Sequence, residues 1–580
     1  MKSILSQLQQ QVEKAIALAY GSSSLSLPEI TQSTQAHFGH YQCNNALKIA
    51  KELRLSPRDV AANLIAHWER PIEMIASLEV AGPGFINISL TPSFLARRVE
   101  GILQDVRLGV ELPLKKEKVI VEFSSPNIAK ELHVGHLRST IIGDALARLF
   151  EFLGYDVLRL NHIGDWGTQF GMLIVYMQEV APAVLEGKEE TDLITLMKWY
   201  QASKKRFDED EGFKKRSQLQ VVKLQSTDVA SLNAWRIICK ISSKAFQEIY
   251  TLLDVKLEER GESFYNADLP VVIKELEEKK LLSISDGAKC LFLEGFVGRE
   301  GTALPMIVQK SDGGYNYDTT DLAAIRHRIR TEKAERIIYV TDAGQSLHFA
   351  MLFKAAELAG YLDPKKTRVD HVPFGVVLGP DGKKFKTRSG QTEKLLDLLL
   401  EAVAQSKKIM QERLPELSEA ELVQAATILG IDAVKYADLS CHRIKDYSFS
   451  YERMLKFEGN TAAFLLYAYV RIQGIKRKVG KDPSSSLGKI PIHLEHPSEI
   501  ALALHLCQFP EYLEAMSKEL LPNRLCDYLY ELAEKFNAFF RDCRVEGTPE
   551  QNSRLLLTEA CARVLQKGLS LIGVKTVDRM

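Results

Sequence analysis

Residues 119–164 read VIVEFSSPNIAKELHVGHLRSTIIGDALARLFEFLGYDVLRLNHIG, and the order of patterns in this stretch decides the fold. VIVEFSS (119–125) is short and rich in β-branched residues, as a buried strand is. A loop follows, with Pro126 and Gly135 in it. From Leu137 the apolar residues recur as Leu137, Ile141, Ile142, Ala145, Leu149 and Phe152, the 3.6-residue period of an amphipathic helix. DVLRLNHIG (156–164) then returns as a strand. Strand, crossover helix and strand make a βαβ unit, so the sheet is parallel.

Working outward, a chain of 580 residues exceeds what one core organises. The reading is α/β, a Rossmann-like parallel-sheet domain with an N-terminal α+β domain and a C-terminal all-helical domain. Residues 1–112 open with a helix, continue with helical spacing from Asn44 to Ala66, and end in the strand-like LEVAGPGFINISL; the basic ELPLKKEK (111–118) reads as a linker. The parallel domain spans 113–395, with strands again at ERIIYVTD (335–342) and RVDHVPFGVVLG (368–379) and a helix-like QSLHFAMLFKAAELAGY between them. It carries a charged, largely helical insertion at about 180–290, where KKRFDEDEGFKKR (204–216) reads as a solvated helix face or a mobile insertion. Residues 396–580 are helical almost throughout, broken by GKDPSSSLGKIP (480–491).

Composition excludes several classes. Lys plus Arg and Asp plus Glu are 75 each, so a polyanionic partner has to be met by local basic patches. No run of about 18 apolar residues spans a bilayer, and the N-terminus breaks its apolar positions with Gln, Glu and Lys, unlike a secretion signal. The eight cysteines are scattered without a C-x-x-C pair, which suits a reducing cytoplasm and argues against a zinc ribbon or a disulfide scaffold. There is no G-x-x-x-x-G-K-[ST] loop, and GPGFIN (82–87) misses the dinucleotide fingerprint.

Three readings compete for HVGH (133–136). As metal ligands, His133 and His136 lack partners: neither Val134 nor Gly135 can ligate, and zinc hydrolases space their histidines at i and i+4. No metal site is expected. As a structural pair the imidazoles need nothing further. The third reading follows from position, because ligands of open α/β sheets dock where a strand ends and a helix begins, and helix N-termini favour anions. Imidazole N–H groups there can stabilise charge on a five-coordinate phosphorus, and Gly135 lets a base or ribose approach the backbone. A second loop, GPDGKKFKTRSGQT (379–392), follows a strand and carries Lys383, Lys384, Lys386 and Arg388 between glycines, suited to gripping pyrophosphate.

HVGH resembles the His-x-Gly-His motif of class I aminoacyl-tRNA synthetases. EFSSPNIAKELHVGHLRSTIIGD (122–144) and LNHIGDWGTQFG (160–171) are similar to the arginyl-tRNA synthetases in particular, as are YVTDAGQSLHF (339–349), FKTRSGQT (385–392) and RMLKFEGNTAAFLLYAYVRI (453–472). The resemblance spans essentially the whole chain. It implies that ATP and L-arginine condense to arginyl-adenylate and that arginine then passes to the 2′-hydroxyl of the terminal adenosine of its tRNA. It implies that His133, Gly135 and His136 hold ATP, that Lys130 reaches its phosphates, and that Lys384, Lys386 and Arg388 act from the basic loop. FKTRS replaces the more common Lys-Met-Ser-Lys-Ser, with Lys130 standing in for the missing lysine. Lys130, His133, His136, Lys386 and Arg388 are then the catalytic set. Mg2+ is inferred to accompany ATP.

For arginine, a guanidinium fork calls for carboxylates. The resemblance selects Glu122, Asn127, Tyr317, Asp321 and Gln345 as the arginine pocket and leaves out Asp318. For tRNA, RIQGIKRKVGK (471–481) reads as a basic run that meets phosphates or as a solvated helix end, and the resemblance makes the helical domain an anticodon reader, with DAVKYADLS (432–440) as the segment that names the domain. It places Phe85 and Asn87 of the N-terminal domain against an unpaired base, the alternative being a core Phe with a turn-facing Asn. A cytoplasmic monomer without membrane contact is expected. The rivals are a stand-alone nucleotidyltransferase, which has no need of two appended domains, and a catalytically inactive RNA-binding scaffold.

Overall fold

The computed structural model describes residues 1–21, 26–298, 301–379, 382–383, 394–483, 486–577 and 579–580. Two units emerge: Met1–Pro113 with Glu412–Leu417 and Leu455–Met580, and Leu114–Gln411 with Ser418–Met454.

In the first unit, α1 (Ile4–Tyr20) is capped by Ser3, whose Oγ accepts from Ser6 N, and ends at left-handed Gly21. Its Ile4, Leu8, Val12, Ala15 and Ile16 share one buried face. Strands β1 (Ile30–Gln32) and β2 (Tyr41–Cys43) precede α2 (Asn45–Leu53) and α3 (Pro57–Ala66), which are separated where Arg54 turns left-handed and Pro57 starts the next helix. β3 (Ile75–Ala81) and β4 (Phe85–Leu90) complete an antiparallel sheet of order β1-β2-β4-β3, and α4 (Pro92–Gln104) follows.

The second unit is built on β5 (Lys118–Glu122), α5 (Val134–Leu153) and β6 (Asp156–Asn161), the βαβ unit expected from 119–164. An insertion of α6 (Thr168–Val180), α7 (Pro182–Leu185), α8 (Leu193–Glu209), α9 (Glu211–Gln225) and α10 (Val229–Leu252) follows. Within it the charged run 204–216 is not solvated throughout. Asp210 caps α9 by accepting from Gly212 N and Phe213 N, and Phe213 is buried against Met172 and Val175. After β7 (Glu258–Glu259) and α11 (Leu269–Glu278), β8 (Ser283–Ser285), β9 (Ala288–Val297) and β10 (Ala303–Gln309) form an antiparallel sheet that the sequence reading does not contain. α12 (Tyr317–Arg330), β11 (Arg336–Asp342), α13 (Ser346–Leu358) and β12 (Arg368–Phe374) complete the main sheet, parallel throughout in the order β12-β11-β5-β6-β7. From β5 the chain runs outward to β7, then crosses to β11 on the other side. The C-terminal ends of β5 and β11 therefore flank a topological switch point, where such sheets bind ligands.

The same unit continues through β13 (Val377–Leu378), most of α14 (Leu395–Arg413), α15 (Glu419–Leu439), β14 (Tyr447–Ser448) and α16 (Tyr451–Met454). It thus extends past 395, where the helical pattern suggested a boundary. The reason is a buried ion pair: Arg138 Nε on α5 lies 3.2 Å from Asp438 Oδ1 and 3.1 Å from Oδ2 on α15, and Arg138 Nη1 donates to Gly375 O at 2.8 Å and Lys445 O at 3.1 Å. Helical periodicity cannot report such a tie.

The first unit resumes with α17 (Ala462–Val479), α18 (Pro497–Cys507), α19 (Phe509–Glu519), α20 (Asn523–Asp542) and α21 (Gln551–Leu571). Buried Glu511 of α19 joins these helices to the N-terminal sheet, accepting from Leu5 N (2.9 Å), Gln32 Nε2 (2.8 Å) and Tyr41 OH (2.8 Å).

Candidate active site

The loop from β5 to α5 holds Ser124, Ser125 and Ala129 at φ of 69°, 46° and 59°, conformations that cost energy without glycine. The surroundings fix them. Ser124 N donates to Ser139 Oγ (2.9 Å), Ser125 N to Asn161 Oδ1 (2.9 Å) and Ala129 N to Ser242 Oγ (3.1 Å). Asn161 Nδ2 in turn reaches Tyr250 OH (3.2 Å), and Ser124 Oγ lies 2.7 Å from the same hydroxyl. β6 and α10 thereby hold a strained loop in place.

That loop delivers HVGH to the start of α5. His133 is the N-cap: its Nδ1 accepts from Gly135 N at 3.1 Å, while His136 Nδ1 accepts from His133 N at 3.1 Å, and the rings lie 4.0 Å apart. Burial, with His133 and Lys130 nearby, pushes His136 down to about 3, so its ring is neutral. An accepting Nδ1 places the single proton of neutral His136 on Nε2. In both rings the cap occupies Nδ1 and puts the ring proton on Nε2, at the positive end of a helix dipole. A Cβ at Gly135 would meet His133 Cε1 at 2.9 Å, so the glycine makes room for the histidine ring itself.

The downstream end of the basic loop is anchored here. Leu395 N donates to Leu132 O at 2.9 Å, Lys394 bridges His133 in antiparallel fashion, and Lys394 Nζ pairs with Glu131 at 2.8 Å. Upstream, Gly379 N donates to Lys383 O at 2.8 Å. Lys384, Lys386 and Arg388 lie outside the described residues. Lys130 is exposed on the β5–α5 loop.

The acids gather at the same sheet edge. Asp321, one turn into α12, has Oδ2 2.6 Å from His348 Nε2 and Oδ1 3.8 Å from His162 Nε2. Asp318 Oδ1 lies 3.3 Å from His348 Nδ1. Burial opposes charging His348, but hydrogen bonds and attraction from both carboxylates outweigh it and push the imidazole up to about 10. Tyr317 is exposed, with its ring edge-on to His348 at 5.2 Å. Asp318 first, then burial and Asp321, raise its hydroxyl pKa. Glu262 is pushed up to about 8 by burial and by Asp321 and Asp165.

Glu122, at the end of β5, is buried, and its Oε2 lies 2.5 Å from Nη2 of buried Arg328. Asn127 packs against Gly164, where an added Cβ would lie 2.1 Å from Asn127 Oδ1. Gln345, beyond β11, is exposed, and its Nε2 donates to Asp342 Oδ2 at 3.2 Å. The structure thus brings Asp321 and Tyr317 into one cluster at the strand ends. It adds His348, Asp318 and Glu262, which the sequence reading left out; two acids at i and i+3 followed by a histidine shortly beyond Gln345 were the available signal.

Phe85 and Asn87 are in the first unit. Asn87 is buried, its Oδ1 accepting from Gln42 Nε2 at 2.9 Å, and half-buried Phe85 covers the turn at Gly82. Also in that unit, Arg471, Lys478, Arg541 and Arg544 line a groove of about 540 Å3 with Phe540. The Arg471 guanidinium lies over the Tyr467 ring at 4.9 Å and the Phe540 ring at 5.4 Å. Among the described residues no group of three or more His, Cys, Asp or Glu is placed to hold a metal, and no helix is long and apolar enough to cross a membrane.

Three family models match the chain: the class I tRNA synthetase (R) catalytic domain over residues 98–451, the DALR anticodon binding domain over 465–580, and the arginyl tRNA synthetase N-terminal domain over 6–90. Residues 432–440 fall in the catalytic match, in line with the Arg138–Asp438 tie and against their reading as anticodon-domain sequence. The chain is 59% identical to an arginine–tRNA ligase of Protochlamydia amoebophila and 52% identical to one of Chlamydia felis, each over the full length of both proteins. Its fold is similar to the arginyl-tRNA synthetase of Plasmodium falciparum, with a TM-score of 0.86 and 34% identity across both whole chains.

Proposed function

The chain belongs to the arginyl-tRNA synthetase family of class I synthetases, and from that premise we propose that the site described above activates L-arginine with ATP and transfers it to its tRNA. The arginine carboxylate attacks the α-phosphorus of ATP and pyrophosphate leaves, giving arginyl-adenylate. The 2′-hydroxyl of the terminal adenosine then attacks the activated carbonyl, and AMP leaves.

The observation that carries this reading is the doubled cap at His133 and His136. It supplies two preorganised Nε2–H donors at a helix N-terminus, suited to charge that grows on a phosphoryl group. Lys130 and, from the basic loop, Lys384, Lys386 and Arg388 supply the cations for the β- and γ-phosphates. Mg2+ accompanies the nucleotide. Asp321 and Tyr317 take the guanidinium, Asn127 and Gln345 hold the α-amino and carboxylate end, and Glu122 completes the pocket. The ion pair to Arg328 fixes the Glu122 carboxylate in place.

On the RNA side, the groove gathers Arg471, Lys478, Arg541 and Arg544 beside the Phe540 ring, cations suited to phosphates. Phe85 and Asn87 are assigned to a second contact of the tRNA. The enzyme works as a monomer in the cytoplasm. Nothing favours an inactive scaffold.

The test is charging of tRNA with labelled arginine on transcripts ending in 2′-deoxy- or 3′-deoxyadenosine. The 3′-deoxy transcript is charged and the 2′-deoxy transcript is not; charging of neither, alongside an uncharged normal tRNA, overturns the reading.

A further inference from the structure

We propose that His348 is a positioning residue for arginine recognition: as an imidazolium it clamps Asp318 and Asp321 and leaves Asp321 Oδ1 as the acceptor for the substrate guanidinium. The inference rests on the reading of Asp321 as an arginine ligand and deepens it.

Geometry fixes the protonation. Both ring nitrogens of His348 face carboxylate oxygens, Nε2 at 2.6 Å from Asp321 and Nδ1 at 3.3 Å from Asp318. Nε2 donates to Asp321 and Nδ1 has the Asp318 carboxylate beside it, and the attraction of the two carboxylates, outweighing the cost of burial, holds the ring as the imidazolium. Its other neighbours add no competing charge. Tyr317 from α12 and Phe349 from α13 meet it edge-on at 5.2 and 5.4 Å. His371 on β12 stacks on Phe349 at 4.7 Å, and burial and Arg443 push it down to about 4, so it is neutral. Around Asp321 itself stand His162 and Glu262, the latter a carboxyl raised to about 8 by burial and the neighbouring acids and so largely protonated at pH 7.

An inventory of the carboxylate oxygens then singles one out. Asp318 Oδ1 faces His348 and its Oδ2 accepts from Asn316 Nδ2 at 3.3 Å. Asp321 Oδ2 faces His348 at 2.6 Å, and among the described residues the nearest ion-pair partner of Oδ1, His162 Nε2, stands at 3.8 Å, beyond hydrogen-bond reach. Of two acids on one helical turn, Asp318 is held through both oxygens by Asn316 and His348, whereas Asp321 is held through Oδ2 alone. Two carboxylates and one imidazolium leave one net negative charge, the complement of one guanidinium. The same inventory accounts for Asp321, and not Asp318, being the ligand.

The experiment measures arginine and ATP KM for His348→Gln, Asp321→Asn and the double variant, with histidine-15N NMR of the unmodified enzyme at pH 8. H348Q raises the arginine KM about tenfold or more, the range of a charge-assisted hydrogen bond, and leaves the ATP KM within about twofold. Because His348 acts through Asp321, the double variant is no worse than D321N alone. In the spectrum both His348 ring nitrogens are protonated at pH 8. An unchanged arginine KM in H348Q, additive losses in the double variant, or a neutral His348 ring at pH 8 each overturns the proposal. If D321N itself leaves the arginine KM unchanged, the pocket reading has failed instead. The NMR arm needs no variant to fold.

Discussion

His136→Ala removes two things that the structure separates. One is the cap: His136 Nδ1 accepts from His133 N at 3.1 Å, and losing such a bond costs about 1 kcal/mol. α5 is buried along most of its length, so the fold survives. The other is the Nε2–H, a preorganised donor to transition-state charge, whose loss costs about 2.7–4 kcal/mol, or roughly 100- to 1000-fold in kcat. His136→Gln divides the two, because Gln at this position can accept from the cap N–H as capping boxes do, while its amide sits differently from an imidazole. H136Q is therefore as stable as the parent protein yet slower in adenylate formation, by about tenfold or more. The assay is single-turnover adenylate formation with saturating arginine, paired with urea unfolding. An H136A rate within about threefold of the parent, or an H136Q as destabilised as H136A, refutes the division of labour between the two nitrogens.

Two further outcomes concern stability. Burial pushes His505 down to about 3, its Nε2 donating to Tyr528 O at 2.9 Å, whereas the unfolded chain titrates near 6.5. A depressed folded-state pKa means full stability above 6.5 and loss as pH falls toward 3. Between pH 7 and 5 the loss is about 2 kcal/mol, and His505→Gln, which keeps a donor but does not titrate, shows that much less acid sensitivity in urea unfolding. Arg138→Met leaves Asp438 buried and unpaired, which costs about 3–5 kcal/mol; adding Asp438→Asn recovers much of it, and equal loss in the single and double variants contradicts the ion-pair account.

What the sequence disclosed follows from where the physics is local. The βαβ unit was legible because its strands and helix are set by periodicity within 46 contiguous residues, 119 to 164, and the two imidazoles because the helix start lies next to them. The β8–β10 sheet was not, since in β9 the neighbours Cys290 and Leu291 are both buried and Phe292 is exposed, which breaks the two-residue alternation that marks a strand. The place of α15 depends on Arg138 meeting Asp438 across 300 residues, and no local pattern records it. Asp321 was read as a ligand from its motif, but His348, 27 residues on, became part of the same cluster only when α12 and α13 were packed side by side.

The most direct test of the central claim is arginine-dependent exchange of pyrophosphate into ATP, with and without tRNA. The account predicts exchange that requires both arginine and tRNA and that H136A slows roughly 100- to 1000-fold. Exchange supported equally by lysine, or none with all substrates present, would contradict it.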